Sequence, residues 1–326
     1  MVKMHMVSAL NNALDIAMKE NDKVVILGED VGINGGVFRI TDELITKYGE
    51  ERVVDTPLAE AAIVGCAIGL SANGIKAVAE IQFSGFSYQA FHHIKQHMAR
   101  LRQRSHNTMS CPMILRAPCS GGIRALEHHS ESPESFFIHC QGITVIMPSG
   151  PYDAKGLMLA AMESPDPIIF LEPKKIYRSF KEEVPEENYK VEIGKANVKK
   201  EGKDISIITW GAMTKLVMDS VPDIEKETGK TLEVIDLRTL WPFDIDAITA
   251  TAKKTGRVVI VQEATRACSL SSELAAQIQE RCILNLKAPI QRVTGFDLPF
   301  PHFAMEGYFL PNKTRILNAV KKTLEY

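Results

Sequence analysis

Apolar residues along this chain follow two rhythms. In Ser8–Glu20 they recur at helical spacing (Leu10, Ala13, Leu14, Ala17, Met18), with Ser8 as the predicted cap. Elsewhere they form short unbroken runs, Val-Val-Ile-Leu at 24–27 and Ile-Ile-Phe-Leu at 168–171, which predict strands covered on both faces. The first half alternates accordingly: a strand at Lys23–Leu27, a glycine-containing loop at Glu29–Gly36, a helix near Glu60, a strand at Lys76–Ile81 and a long helix over Ser87–Gln103. Strands at Pro112–Arg116, Ile143–Met147 and Pro167–Leu171 follow, the last two flanking a helix at Pro151–Glu163. Such alternation predicts an α/β fold with a mainly parallel sheet.

Between Phe180 and Asp204 lysine and glutamate dominate, which predicts an exposed connection. The expected division is 1–190, a linker over 191–203, and a smaller α/β domain over 204–326. Strands are predicted there near Asp204–Thr209, Thr231–Asp236, Arg257–Gln262 and Pro289–Val293. The helices expected with them cover Lys215–Glu227, Ile245–Lys254, Ser269–Cys282 and Asn312–Leu324.

At 326 residues the chain is long enough for two cores, and 45% hydrophobic with 24% charged residues is ordinary for globular proteins. A formal net charge of −2 provides no field for nucleic acid or anionic membrane. Six scattered cysteines without a C-x-x-C pair suit a reducing compartment. No apolar run approaches the roughly 18 residues of a membrane span, and the N-terminus lacks a signal-peptide core. The expectation is a soluble protein of the cytoplasm, or of the mitochondrial matrix if the chain is a processed eukaryotic form.

Candidate chemistry concentrates in few places. In Thr56-Pro57-Leu58-Ala59-Glu60 a single carboxylate, Glu60, opens a helix of small and apolar residues. Thr56 and Pro57 read as a cap and a proline start, so Glu60 fits the ordinary complement to a helix dipole as well as proton chemistry in a dry pocket. Gly65 and Gly69, with Ala61, Ala62, Cys66 and Ala67, make one side of that helix slim enough for a close helix contact, within the chain or between subunits. His92, His93 and His97 have a spacing that could hold a metal, but a polar helix face explains them equally. The stretch Arg116–Glu134, with His128 and His129 among hydroxyls and carboxylates, follows a strand at the end where α/β sheets bind ligands. G-x-G-x-x-G, the phosphate-binding G-x-x-x-x-G-K-[ST], G-x-S-x-G and H-E-x-x-H are all absent.

Taken together, these stretches resemble the beta chain of the decarboxylating, thiamine diphosphate-dependent component of 2-oxo acid dehydrogenase complexes. The landmarks are Gly28-Glu29-Asp30-Val31, Asp55-Thr56-Pro57-Leu58-Ala59-Glu60, Ala79-Glu80-Ile81-Gln82-Phe83, His128-His129-Ser130-Glu131-Ser132, Phe170-Leu171-Glu172-Pro173-Lys174, Val234-Ile235-Asp236-Leu237-Arg238-Thr239 and Pro299-Phe300-Pro301-His302, spread over the whole chain. The resemblance implies two doubly wound domains, a transketolase-like pyrimidine-binding domain and a smaller transketolase C-terminal-like domain. It implies that Glu60 hydrogen-bonds a pyrimidine nitrogen of the cofactor and exchanges a proton there, that burial raises the pKa of Glu60, and that Phe86 packs on the ring with Leu58 and Gln82 beside it. His129 would face the substrate carboxylate or the lipoyl arm. Relatives also hold a structural potassium ion through backbone oxygens, which carries over to Met113, Ala161, Met162, Ser164 and Asp166; Ser164 and Asp166 depart from the aspartate and asparagine frequent in relatives.

The Gly-Asp-Gly segment with which thiamine diphosphate enzymes hold the Mg²⁺-diphosphate does not occur in this chain. The resemblance therefore implies half a site, completed by an alpha chain in an alpha2-beta2 heterotetramer. A second beta chain and a lipoyl-bearing acyltransferase core are the other expected partners, with no nucleic acid and no membrane. Among substrates, branched-chain 2-oxo acids are expected from Gln82-Phe83, Glu172-Pro173-Lys174 and Phe296–Tyr308, with pyruvate or acetoin as alternatives. A non-catalytic docking subunit and a self-sufficient transketolase-like enzyme are the competing readings.

Overall fold

A computed structural model describes residues 1–326. Seven strands form the larger sheet, in the order Thr239–Trp241, Thr144–Ile146, Ile168–Pro173, Ile114–Cys119, Lys76–Glu80, Val24–Gly28, Val53–Asp55. Every pairing is parallel except that of the edge strand Thr239–Trp241. A five-stranded sheet has the order Gln291–Val293, Val258–Val261, Ile205–Thr209, Leu232–Asp236, Asn197–Lys200, and only its last strand runs antiparallel. Val2–Met4 and Glu182–Val184 make a separate antiparallel pair.

The unbroken apolar runs have the predicted consequence. Along each central strand alternate residues enter opposite cores: Ile26, Val78, Ile168 and Phe170 on one face, Leu27, Ala77, Ala79, Ile169 and Leu171 on the other. Helices Met6–Glu20 and Pro151–Glu163 pack together over the first face. Ile63, Val64 and Ala67 of helix Glu60–Ala72 cover the second. Both cores continue into the smaller sheet, through Ile205 and Ile207 on one side and Ile208 and Ile235 on the other.

Three local expectations are corrected. The first helix begins at Met6 with His5 as its cap position, not at Ser8. The predicted helix over Ser87–Gln103 is instead a 3-10 segment at Ser84–Ala90, a short α turn at Phe91–His93, a π segment at Ile94–Met98 and a last turn at Leu101–Arg104. Close approaches disfavour a straight helix there: a Cβ on Gly85 would lie 2.2 Å from the His128 carbonyl oxygen, and one on Gly142 would lie 2.2 Å from that of Ala99. Thr239–Trp241, far along the chain, leaves the smaller sheet and finishes the edge of the larger one, with Met147 N–H donating to Arg238 O at 2.8 Å. No helix is long and apolar enough to cross a membrane.

Candidate active site

The C-terminal ends of Val24–Gly28, Lys76–Glu80 and Ile114–Cys119 lie side by side, and the loops leaving them carry the candidate residues. Glu60 is the first residue of its helix and Ala59 is the cap position, not Thr56, whose amide instead donates to Gly28 O at 2.9 Å. The first helical bond is Ile63 N–H to Ala59 O, which draws the Glu60 side chain into the protein at 5% exposure. Its Oε2 is buried without a hydrogen-bond partner. Such an orphaned carboxylate oxygen is costly and is retained where a ligand can pair with it.

Glu29, not singled out from the sequence, is the neighbour of Glu60. Burial raises its pKa first, and the negative charges of Asp30 and Glu60 add to the rise. Gln82 Nε2 donates to Asp30 Oδ2 at 3.4 Å, so Gln82 belongs to the same rim. Leu58 stands free, 68% exposed. Gly65 and Gly69 face open space and Cys66 is exposed, so no other helix of this chain covers the slim side of the Glu60 helix.

The Glu60 helix packs on the Ser84–Ala90 segment, which packs in turn on the Glu127–His129 turn. This brings an aromatic group together. The rings of Phe83 and His129 meet edge to face at 4.2 Å between centroids, Phe86 and His129 at 5.4 Å, and His128 and His129 tilt together at 4.2 Å. Partial burial lowers the His129 pKa, and the charges of His128 and Lys174 lower it further, so the imidazole is neutral at pH 7. Lys174, the end of the Glu172-Pro173-Lys174 landmark, lies 5.7 Å over the Phe83 ring. Burial pushes its ammonium down to about 8, and its Nζ has no hydrogen-bond partner.

Beneath this group Arg116 is fully buried. Its Nε and Nη2 meet both oxygens of Glu172 at 2.8 and 2.9 Å, its Nη1 meets Glu80, and Tyr177 OH donates to Glu172 at 2.6 Å. The pair of carboxylates holds the guanidinium charged, and the network joins three neighbouring strands into a rigid floor.

The loop that carries His129 is fastened by residues no local pattern could identify. Ser120 N–H donates to Glu131 O at 2.7 Å, closing the loop at its stems. Glu263, from beyond the Val258–Val261 strand, accepts the Gly121 N–H at 2.6 Å and the Ser132 hydroxyl at 3.1 Å. Glu306 accepts the Gly122 N–H. Burial raises the Glu263 pKa, opposed by these donors and by Lys174.

The five positions expected to hold potassium do not fall at this end of the sheet. They lie at its opposite end, by the N-termini of central strands, and the carbonyls of Ala161 and Ser164 each accept a hydrogen bond from Lys76 Nζ at 2.9 Å. An ammonium of this chain thus already engages two of the five residues that the resemblance carries over as potassium ligands. His92, His93 and His97 cluster on the broken helix with ring centroids 5.3–5.7 Å apart, two pairs edge to face and one tilted.

Comparison with known proteins fits this geometry. The transketolase pyrimidine binding domain matches residues 2–179 and the transketolase C-terminal domain matches 194–316. Proteins named pyruvate dehydrogenase E1 component subunit beta are similar over 326 residues, all of this chain and all of theirs, with 48% identity in Staphylococcus epidermidis and 49% in Staphylococcus aureus. These names favour the pyruvate alternative over the branched-chain expectation, and bacterial relatives give the matrix location no support. A split-gene transketolase, solved as an inactive beta4 tetramer, shares the fold with a TM-score of 0.79 over 99% of both chains at 24% identity.

Proposed function

Because this chain belongs to the thiamine diphosphate-dependent beta subunits of 2-oxo acid dehydrogenase complexes, we propose that it acts on pyruvate at a site shared with an alpha chain, with Glu60 as its proton-handling group. When bound, thiamine diphosphate supplies the carbon nucleophile and the sink for electrons released with carbon dioxide. The residues fit its pyrimidine: an unpartnered buried carboxylate at Glu60, the aromatic edge of Phe86 and the rim residue Gln82. Glu60 holds and returns a proton at Oε2. Phe83 and Phe86 keep water from that exchange, and neutral His129 offers one nitrogen as donor and the other as acceptor toward the substrate carboxylate or the lipoyl arm.

Leu58 completes the apolar wall once the alpha chain covers it. The alpha chain provides the Mg²⁺ and diphosphate ligands, in an alpha2-beta2 heterotetramer. In that assembly the 204–326 domain pairs the beta chains and docks the lipoyl-bearing acyltransferase core. The observation that carries this reading is the orphaned Oε2 of Glu60.

The test is steady-state decarboxylation by the co-purified assembly, with pyruvate and a branched-chain 2-oxo acid compared. Glu60→Gln keeps the shape but not the exchangeable proton, so kcat should fall about a hundredfold or more with assembly intact. Turnover near the unsubstituted level rejects the role of Glu60. A higher kcat/KM for the branched-chain acid rejects pyruvate.

A further inference from the structure

The C-terminus of helix Pro151–Glu163 lies against the N-terminal ends of central strands of the larger sheet. The last carbonyls of a helix lack intrahelical donors and carry the negative end of its dipole, so this point attracts a cation. Neither Lys nor Arg occurs in the last turn of the helix to answer it. The answer comes from another element. Lys76, first residue of the strand Lys76–Glu80, is 6% exposed and sends Nζ to Ala161 O and Ser164 O, both at 2.9 Å.

Two of the other carbonyls expected around a potassium ion, those of Met113 and Asp166, are engaged as well. Met113 O accepts the Ile168 N–H at 3.0 Å as part of strand pairing, and Asp166 O accepts the Ser164 hydroxyl at 2.8 Å. The Asp166 carboxylate is turned outward to Arg102 Nε at 2.5 Å. Potassium needs several oxygens converging on one point without a competing positive charge. Here the two best-placed oxygens already share an ammonium, which at this distance would repel a second cation strongly.

We propose that Lys76 is a built-in replacement for the structural monovalent cation, so that this subunit orders the 161–166 turn without binding potassium. The proposal rests on the family only for the expectation of a cation, and it is independent of the role given to Glu60. A tethered ammonium brings the same charge to the same carbonyls but cannot dissociate. The turn it holds joins helix Pro151–Glu163 to the central strand Ile168–Pro173, so its order does not depend on the ionic composition of the medium.

The experiment is thermal unfolding of the full-length chain, exchanged into tetramethylammonium chloride and titrated with KCl or NaCl at constant ionic strength. The Tm should be the same in all three salts. A potassium site filled to a hundred times its Kd would instead raise Tm by about 4 °C, in a saturable way and for K⁺ alone. That result overturns the proposal and needs no folded variant to observe it. Lys76→Met vacates the carbonyls: it should unfold at lower temperature in tetramethylammonium and regain part of the loss when K⁺ is added. A Lys76→Met chain as stable as the original, or one whose loss K⁺ leaves untouched, also overturns it. Because the readout is stability, failure here leaves the proposal for Glu60 standing, and the reverse holds.

Discussion

Glu263→Ala tests whether the second domain positions His129, the histidine proposed to face the substrate. The carboxylate holds the stems of the His129 loop by two bonds, from the Gly121 amide at 2.6 Å and the Ser132 hydroxyl at 3.1 Å. Removing it leaves a buried amide unpaired, at about 1–3 kcal/mol, and takes a charge-assisted bond of about 1.5–3 kcal/mol from Ser132. Against this stands the relief of a buried carboxylate, whose raised pKa shows that burial opposes its charge. A net loss of about 2–3 kcal/mol in loop order corresponds to about a 30- to 160-fold fall in kcat/KM. Glu263→Gln keeps an acceptor in place and should recover most of the activity.

A pH profile separates positioning from general damage. Burial is the first cause of the lowered His129 pKa, so a loosened loop returns the imidazole toward its ordinary value. The acid limb of kcat/KM in Glu263→Ala should move to higher pH while that of Glu263→Gln stays. The assay is steady-state turnover of pyruvate by the assembled enzyme across pH 5–8. Activity within about twofold of normal in Glu263→Ala, or equal damage in both variants with no movement of the acid limb, refutes the reasoning.

Two further expectations concern stability. Arg116→Met strands Glu80 and Glu172 in the floor of the site; breaking such a buried pair costs about 3–5 kcal/mol, seen by calorimetry as a Tm lower by about 4–7 °C, and an unchanged Tm would show the network to be dispensable. Glu134 is buried, and burial raises its carboxyl from 4.5 to about 8. Between these values the unfolded chain has lost a proton that the folded chain keeps. The contribution is thus complete below about pH 4.5 and lost as pH rises through about 8, by at most about 1.4 kcal/mol per pH unit. Denaturant midpoints from pH 5 to 8.5 should fall less steeply in Glu134→Gln, and parallel slopes would refute the assignment.

The order of strands and helices, the parallel sheet and the two-faced burial of 24–27 and 168–171 were legible in the chain, because hydrophobic periodicity is local and each run must cover its own faces. Phe86, His129 and Glu60 were singled out through separate short motifs, and folding sets the rings of Phe86 and His129 5.4 Å apart. The start of the Glu60 helix was not legible. Thr56 carries the signature of a cap, but its amide is claimed by Gly28 across the sheet. The break in 84–104 was also hidden, since the carbonyl that crowds Gly85 comes from His128.

Folding alone decided which distant groups serve the site. Glu263 lies 142 residues from Gly121, and Glu306 lies 184 from Gly122. At the opposite end of the sheet, Lys76 reaches a carbonyl 85 residues away. Local periodicity carries no information about such partners: whether a buried charge meets a loop amide or a helix end is settled only when separate elements close on the same volume and exclude the water that would otherwise satisfy them.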